Sequence, residues 1–136
     1  MDQYSRRILG WTLSKSRTAD VTARVLTAAI KNRGYPRGII FHTDRGIEFT
    51  GSEFQRILNK HDFKHSVNRI GYCTDNAFME SFYHSLKGEL IRKTKFESVV
   101  HLRKEIGRYI NQFYNNVRLH SGLNYMSPVK YEQSLV

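Results

Sequence analysis

The sequence predicts a single α/β domain, and three observations carry that expectation. Apolar, β-rich runs alternate with amphipathic stretches in the order strand, helix, strand, helix, strand, helix, helix. A length of 136 residues, 40% of them hydrophobic, supplies one core. Val99, Leu102, Ile106, Tyr109 or Ile110, Phe113 and Val117 recur at three- and four-residue steps, which marks a long amphipathic helix near the C-terminus.

In chain order, Arg6–Leu13 reads as a strand in which Gly10-Trp11 packs against a neighbour. Thr18–Asn32 follows as a helix on Val21, Val25 or Leu26, Ala29 and Ile30, ended by Gly34 and Pro36. Gly38–Thr43 is a short buried strand closed by Asp44, with a turn at Gly46. Ser52–His61 is a second helix carrying Phe54, Ile57 and Leu58, and His65–Asn68 a third short strand. A loop over 69–73 leads to a long helix capped by Thr74 or Asp75 and running to about Lys93. The last helix covers about Ser98–Asn116. The domain is expected over 1–116, with 117–136 as its polar and aromatic tail.

Charge narrows the partner. Twenty-two Lys and Arg against 12 Asp and Glu give a net charge of +10, the balance of a chain that neutralises phosphates. One cysteine, Cys73, excludes an internal disulfide and a cysteine-built zinc site. No stretch approaches the ~18 apolar residues of a membrane span, and the N-terminus has no signal-peptide pattern. A cytosolic protein working where DNA is fits these features.

The residues that suit chemistry are acids. Asp44 ends a strand and Glu80 lies near the start of a helix, with 35 residues between them (positions 45 to 79). Hard divalent cations take carboxylate oxygens, and phosphodiester chemistry uses two such ions about 3.5–4 Å apart. Asp44 before Arg-Gly is equally a turn residue. Glu80, His84 and Lys87 align at i, i+4 and i+7, opposite a stripe of Phe78, Phe82, Leu86 and Leu90. That polar line is either a solvated face or a metal-holding acid beside a phosphate-holding lysine. His42 reads as a boundary residue, Trp11 as packing, and Cys73 as a partly buried thiol. His120, with Arg118 and Tyr114, either contacts DNA or ties the last helix to the tail. Lys64, Arg69, Arg92, Lys93 and Lys95 are candidates for a DNA-binding surface.

Four ordered motifs resemble one family. HTDRGIEFT around Asp44 is similar to the second-Asp motif of retroviral integrases and bacterial insertion-sequence transposases. DNAFMESFYHSLKGEL around Glu80 resembles the signature helix of insertion-sequence transposases of the IS-three type. YSRRILGW at 4–11 resembles that family's hairpin between its second and third strands, and YNNVRLHSGLNYMSPVKY at 114–131 its C-terminal signature. The 35-residue gap matches the family's Asp–Glu spacing. The resemblance implies an RNase H-like integrase core, here lacking its first strand. It further implies a three-carboxylate site holding two Mg²⁺ or Mn²⁺ ions. By position, Asp44 becomes the second acid and metal ligand, Glu80 the third, and Lys87 a contact to end DNA. Arg69 and His84 are further candidate DNA contacts read from the residues themselves. The implied partners are mobile-element ends, target DNA, and a second copy or a full-length transposase, in the bacterial cytoplasm at the nucleoid.

The departure lies before Met1. The family's first Asp sits on a strand preceding the YSRR turn, so the chain is expected to be a truncated form without turnover. Asp2 aligns with a separate acidic position beside the turn. A second reading is a non-catalytic DNA-binding or multimerising remnant that inhibits intact transposase. A third, an RNase H-like nuclease on RNA–DNA hybrids, shares the fold but not the C-terminal signature.

Overall fold

The computed structural model describes residues 1–136, the side chain of Cys73 excepted, so the expectation for that thiol lies outside the described residues. The elements are α1 (Ala19–Asn32), β1 (Ile40–Thr43), α2 (Ser52–Lys60), β2 (Lys64–Val67), α3 (Ala77–Leu86), α4 (Val99–Arg108) and α5 (Pro128–Ser134). Three-residue and four-residue 3₁₀ turns lie at Ile47–Phe49, Cys73–Asn76 and Ser121–Leu123. The chain divides into two compact units, Leu9–Ala77 and Met1–Ile8 with Phe78–Val136.

In the Leu9–Ala77 unit, β1 and β2 form a parallel pair with Ile40 opposite Lys64 and Thr43 opposite Val67. Parallel neighbours need a crossover, which α2 provides. Alternation along β1 sends Phe41 and Thr43 to one face, where Phe41 lies 5.8 Å from Phe54 and 6.4 Å from Phe63 between ring centres. Leu26 and Ile30 of α1 and Phe54 and Leu58 of α2 complete this core, each buried. The strand is not buried on both faces as the sequence suggests: Ile40 is 70% exposed, because helices cover only the Phe41 side within this unit.

Helix ends follow local chemistry. Thr18 accepts the Val21 N–H at the start of α1. At its end Gly34 takes φ +74, its N–H reaches Lys31 O at 3.0 Å, and the Tyr35 N–H reaches Ile30 O at 2.9 Å. α2 ends in the same pattern with Asp62 in the left-handed position.

Three expectations are corrected. Residues 6–13 form no strand, and Arg6 takes a left-handed φ of +63. Instead the Asn115 side chain accepts the Ile8 N–H at 2.9 Å and donates to Ile8 O at 3.0 Å, giving the backbone the two bonds a neighbouring strand would give. The Asn32 amide donates to Leu9 O at 2.8 Å, and Gly10 lies so close to α1 that a Cβ there would meet Val25 O at 3.0 Å. The long helix after residue 73 begins as a 3₁₀ turn without a Thr74 or Asp75 side-chain cap, since Asp75 is engaged with Arg69. The predicted helical face of the C-terminal helix breaks after Arg108. There the backbone widens into a π segment, Tyr109–Tyr114, so Tyr114 and Asn115 are buried while Phe113 is 40% and Val117 58% exposed. A second π segment, Lys87–Ile91, extends α3.

In this second unit Ile8, Phe82, Leu86, Ile106, Tyr109, Ile110, Tyr114 and Leu123 are buried, with Phe82 edge-on to Tyr114 at 5.0 Å. Replacing Asn115, 6% exposed, by Ala leaves the Ile8 N–H and C=O unpaired. Asn115→Ala is expected to lower unfolding free energy by about 2 kcal/mol or more, measured as a fall in the urea midpoint at unchanged slope.

Candidate functional site

Asp44 follows β1 directly and is exposed. One of its carboxylate oxygens accepts the Gly46 N–H at 2.8 Å, the closed turn that an Asp before a tight bend forms. A Cβ at Gly46 would lie 2.5 Å from a Glu48 carboxylate oxygen, the far end of a side chain that can turn aside. Behind the turn runs a polar chain that sequence reasoning missed. Gln55 donates to His65 Nδ1 at 3.1 Å, which leaves the ring proton on Nε2 to meet Thr43 Oγ1 at 2.9 Å. The Thr43 hydroxyl then donates to Asp44 O at 2.8 Å. Burial and the neighbouring His42 hold the His65 pKa below its ordinary value, so the ring stays a neutral relay. His42 bonds Ser66 Oγ at 2.9 Å and Asn68 Oδ1 at 2.6 Å, the boundary role its alternation implies.

Arg69 is committed within its own loop. Asp75 accepts from the Arg69 backbone N–H at 3.0 Å, from Nε at 3.2 Å and from Nη2 at 2.9 Å. The guanidinium also stacks 4.1 Å above the Tyr72 ring. Arg69 holds the Asp75 carboxyl down at a pKa of about 2. The loop tip exposes Ile70 and Tyr72, and Gly71 takes φ +78 between them.

Glu80 and His84 on α3 and Lys87 just beyond it are all exposed, so the face expected from i, i+4 and i+7 spacing exists and is solvated. None of the three is engaged by an ion pair among the described residues. Asp44 and Arg69 belong to one compact unit, and Glu80, His84 and Lys87 to the other. Lys64, Arg92, Lys93 and Lys95 are exposed as well. Asp2 caps its own turn, accepting the Tyr4 and Ser5 N–H groups at 2.9 and 3.1 Å.

The tail motif serves structure. Arg118 forks Glu89 with contacts of 2.7, 2.9 and 3.0 Å and reaches Ser85 Oγ at 3.1 Å. Tyr109 donates its hydroxyl to Glu89 at 2.7 Å. Hydrogen bonds from Arg118 and then Tyr109 outweigh burial and depress the Glu89 pKa. Burial, and next the Glu89 hydrogen bond, raise that of Tyr109. His120 stands edge-on to Tyr114 at 5.0 Å, with burial first and the Arg118 and Arg6 charges next pushing its pKa down to about 4. Packing of the ring against Tyr114 supports the structural one of the two readings for His120.

The free carboxylate oxygens of Asp44 and Glu80 are of the type a hard cation takes. Among the described residues no group of three or more His, Cys, Asp or Glu is placed to hold a metal ion. No helix among them is long and apolar enough to cross a membrane.

Comparison with known proteins follows the same lines. Two family models, each described as an integrase core domain, match residues 1–73 and 61–128. The transposase for insertion sequence element IS904 of Lactococcus lactis is 43% identical over 135 residues, 98% of this chain and 53% of the relative. Transposase InsF for insertion sequence IS3A of Escherichia coli K12 is 38% identical over 132 residues, 97% of this chain and 46% of the relative. The chain thus spans about half the length of these curated relatives. Among solved structures, the HTLV-2 integrase catalytic core domain in complex with magnesium, a trimeric form, superposes with a TM-score of 0.70 at 16% identity. It covers 96% of this chain and 80% of its own. The simian T-cell lymphotropic virus intasome in complex with a PP2A regulatory subunit gives 0.67 at 20% identity, over 88% of this chain and 42% of its own. These two likenesses concern the fold, which is that of the RNase H-like integrase cores.

Two pH responses follow. Asp75 has a depressed pKa, so its contribution is complete above about 3.8 and is lost as pH falls through about 2. Carboxyl NMR should titrate Asp75 near pH 2, with the Arg69 Nε–H signal collapsing in step; a midpoint near 4 rejects the staple. His120 is opposite in charge type but equal in sign: the unfolded ring binds its proton near 6.5 and the folded ring near 4. Stability therefore declines as pH drops from 6.5 toward 4, and the urea midpoint of His120→Gln should show a shallower decline over that range.

Proposed function

The chain belongs to the integrase core domain family, and from that premise we propose that it is the core part of an insertion-sequence transposase. The reaction of such a protein is phosphodiester cleavage and strand transfer at mobile-element ends, carried out with DNA in the bacterial cytoplasm at the nucleoid. The observation that carries this reading is identity of 38–43% to insertion-sequence transposases across nearly the whole chain, both acid motifs included.

In this proposal Asp44 and Glu80 act as carboxylate ligands for Mg²⁺ or Mn²⁺. When bound, a pair of such ions supplies Lewis acidity at the attacking and leaving oxygens. The two acids lie on separate compact units, so their joint role rests on the motifs. Lys87 contacts a phosphate of the end DNA as a point charge, and His84 offers a ring hydrogen bond on the same exposed face. Arg69 spends Nε and Nη2 on Asp75, which leaves Nη1 for a phosphate. Oligomerisation with a second copy or with full-length transposase completes the reading.

The net charge of +10 also supports a second reading, a non-catalytic DNA-binding or multimerising form that inhibits intact transposase. One set of assays separates them. The chain alone should retain DNA at low salt without cleaving donor ends in Mn²⁺. Lys87→Ala should reduce the salt slope of binding by about 0.9. Cleavage that appears on mixing with full-length transposase defective in its first acid, and that vanishes in Asp44→Asn or Glu80→Gln, supports the catalytic reading. Inhibition of intact transposase that is unchanged by both substitutions supports the second. Robust cleavage surviving Asp44→Asn overturns the site assignment.

A further inference from the structure

The helix bearing Glu80 changes hand-hold midway. Up to Leu86 it is α-helical, and from Lys87 to Ile91 it is a π segment, so the Arg92 N–H bonds Lys87 O, five residues back, at 2.9 Å. The facing helix does the same, with the Asn115 N–H on Ile110 O at 3.0 Å. A π segment is a costly irregularity that persists only where surroundings hold it, and it rotates everything after it relative to everything before.

Side-chain contacts on both sides of the junction hold it. Ser85 lies in the α part and Glu89 in the π part, and both are half-buried on the side away from exposed Glu80, His84 and Lys87. Arg118 grips both at once, Ser85 Oγ at 3.1 Å and Glu89 through the fork. Tyr109, the first residue of the second π segment, bonds Glu89 at 2.7 Å. The Arg118 and Glu89 side chains are only 24% and 33% exposed, so this pair is poorly screened.

Resting on the proposed DNA role of this chain, we propose that Arg118 is a positioning residue. It bridges the α and π parts through Ser85 and Glu89, and so fixes the phase of the cations Arg92 and Lys93 relative to Glu80 and Lys87. Arg118 touches no substrate in this role; it sets where the basic groups stand relative to the acid. Lysine does not replace it, because an ammonium cannot fork one carboxylate and reach a hydroxyl in the same plane.

The backbone register can be read without DNA. Scalar coupling across hydrogen bonds in the full chain should pair the Arg92 nitrogen with the Lys87 carbonyl carbon. In Arg118→Gln the partner should become Gly88, the α-helical acceptor. Should that variant fail to fold, Arg118→Lys and Tyr109→Phe report at the same amide. A folded Arg118→Gln or Arg118→Lys that keeps the Lys87 partner overturns the proposal. The second arm uses a mixed-sequence DNA duplex. The double substitution Arg92→Ala and Lys93→Ala should weaken binding about tenfold in the parent chain and by less than about twofold in Arg118→Gln. Equal losses in both backgrounds overturn the positioning role. No loss in the parent chain overturns the Arg92 and Lys93 contact itself, while the Arg92 coupling still decides whether Arg118 holds the π segment.

Discussion

A forked guanidinium organises the C-terminal unit. Arg118 binds Glu89 through three short contacts and Ser85 through a fourth, and Tyr109 closes the carboxylate from the other side. Once these groups leave water, each must keep its partners or carry an uncompensated charge or dipole. Glu89 lies in one π segment and Tyr109 opens the other, so the same contacts tie both. The tail motif therefore fixes how the Glu80 helix continues. His120, edge-on to Tyr114 and with its pKa pushed down to about 4, extends this packing without adding charge at pH 7.

The same rule, that buried backbone groups find partners, explains the N-terminal segment. Ile8 is 7% exposed and has no strand beside it, so the Asn115 amide supplies both its donor and its acceptor. Asn115 is brought to that position by the π segment before it, whose widened turn buries Tyr114 and Asn115 in place of Phe113. One irregularity in a helix thus settles how a segment more than a hundred residues earlier is satisfied.

The Leu9–Ala77 unit places its acid by more ordinary means. The aromatic cluster of Phe41, Phe49, Phe54 and Phe63 anchors β1 against α2. The Gln55–His65–Thr43 chain then holds the backbone at Asp44, and Gly46 closes the turn. A carboxylate on such a fixed turn is oriented by protein alone. Arg69 and Asp75 likewise pre-shape the loop that leads out of β2, leaving Ile70 and Tyr72 at its tip.

The amino-acid sequence by itself determined the helices, the two short strands, the Asp44 turn and the exposed line of Glu80, His84 and Lys87. All of these follow from periodicity and from residues acting within a few positions of one another, such as Thr18, Gly34 and Gly46. The family was legible too, since four ordered motifs survive as strings. Tertiary structure alone decided that Arg6–Leu13 forms no strand, that Ile40 is exposed, and that two helices widen into π segments. It also decided that Arg69 is held by Asp75 and that Arg118 serves the Glu80 helix. Each of those depends on a partner distant in sequence or on a choice between nearly equal backbone hydrogen-bond acceptors, and local pattern carries no term for either.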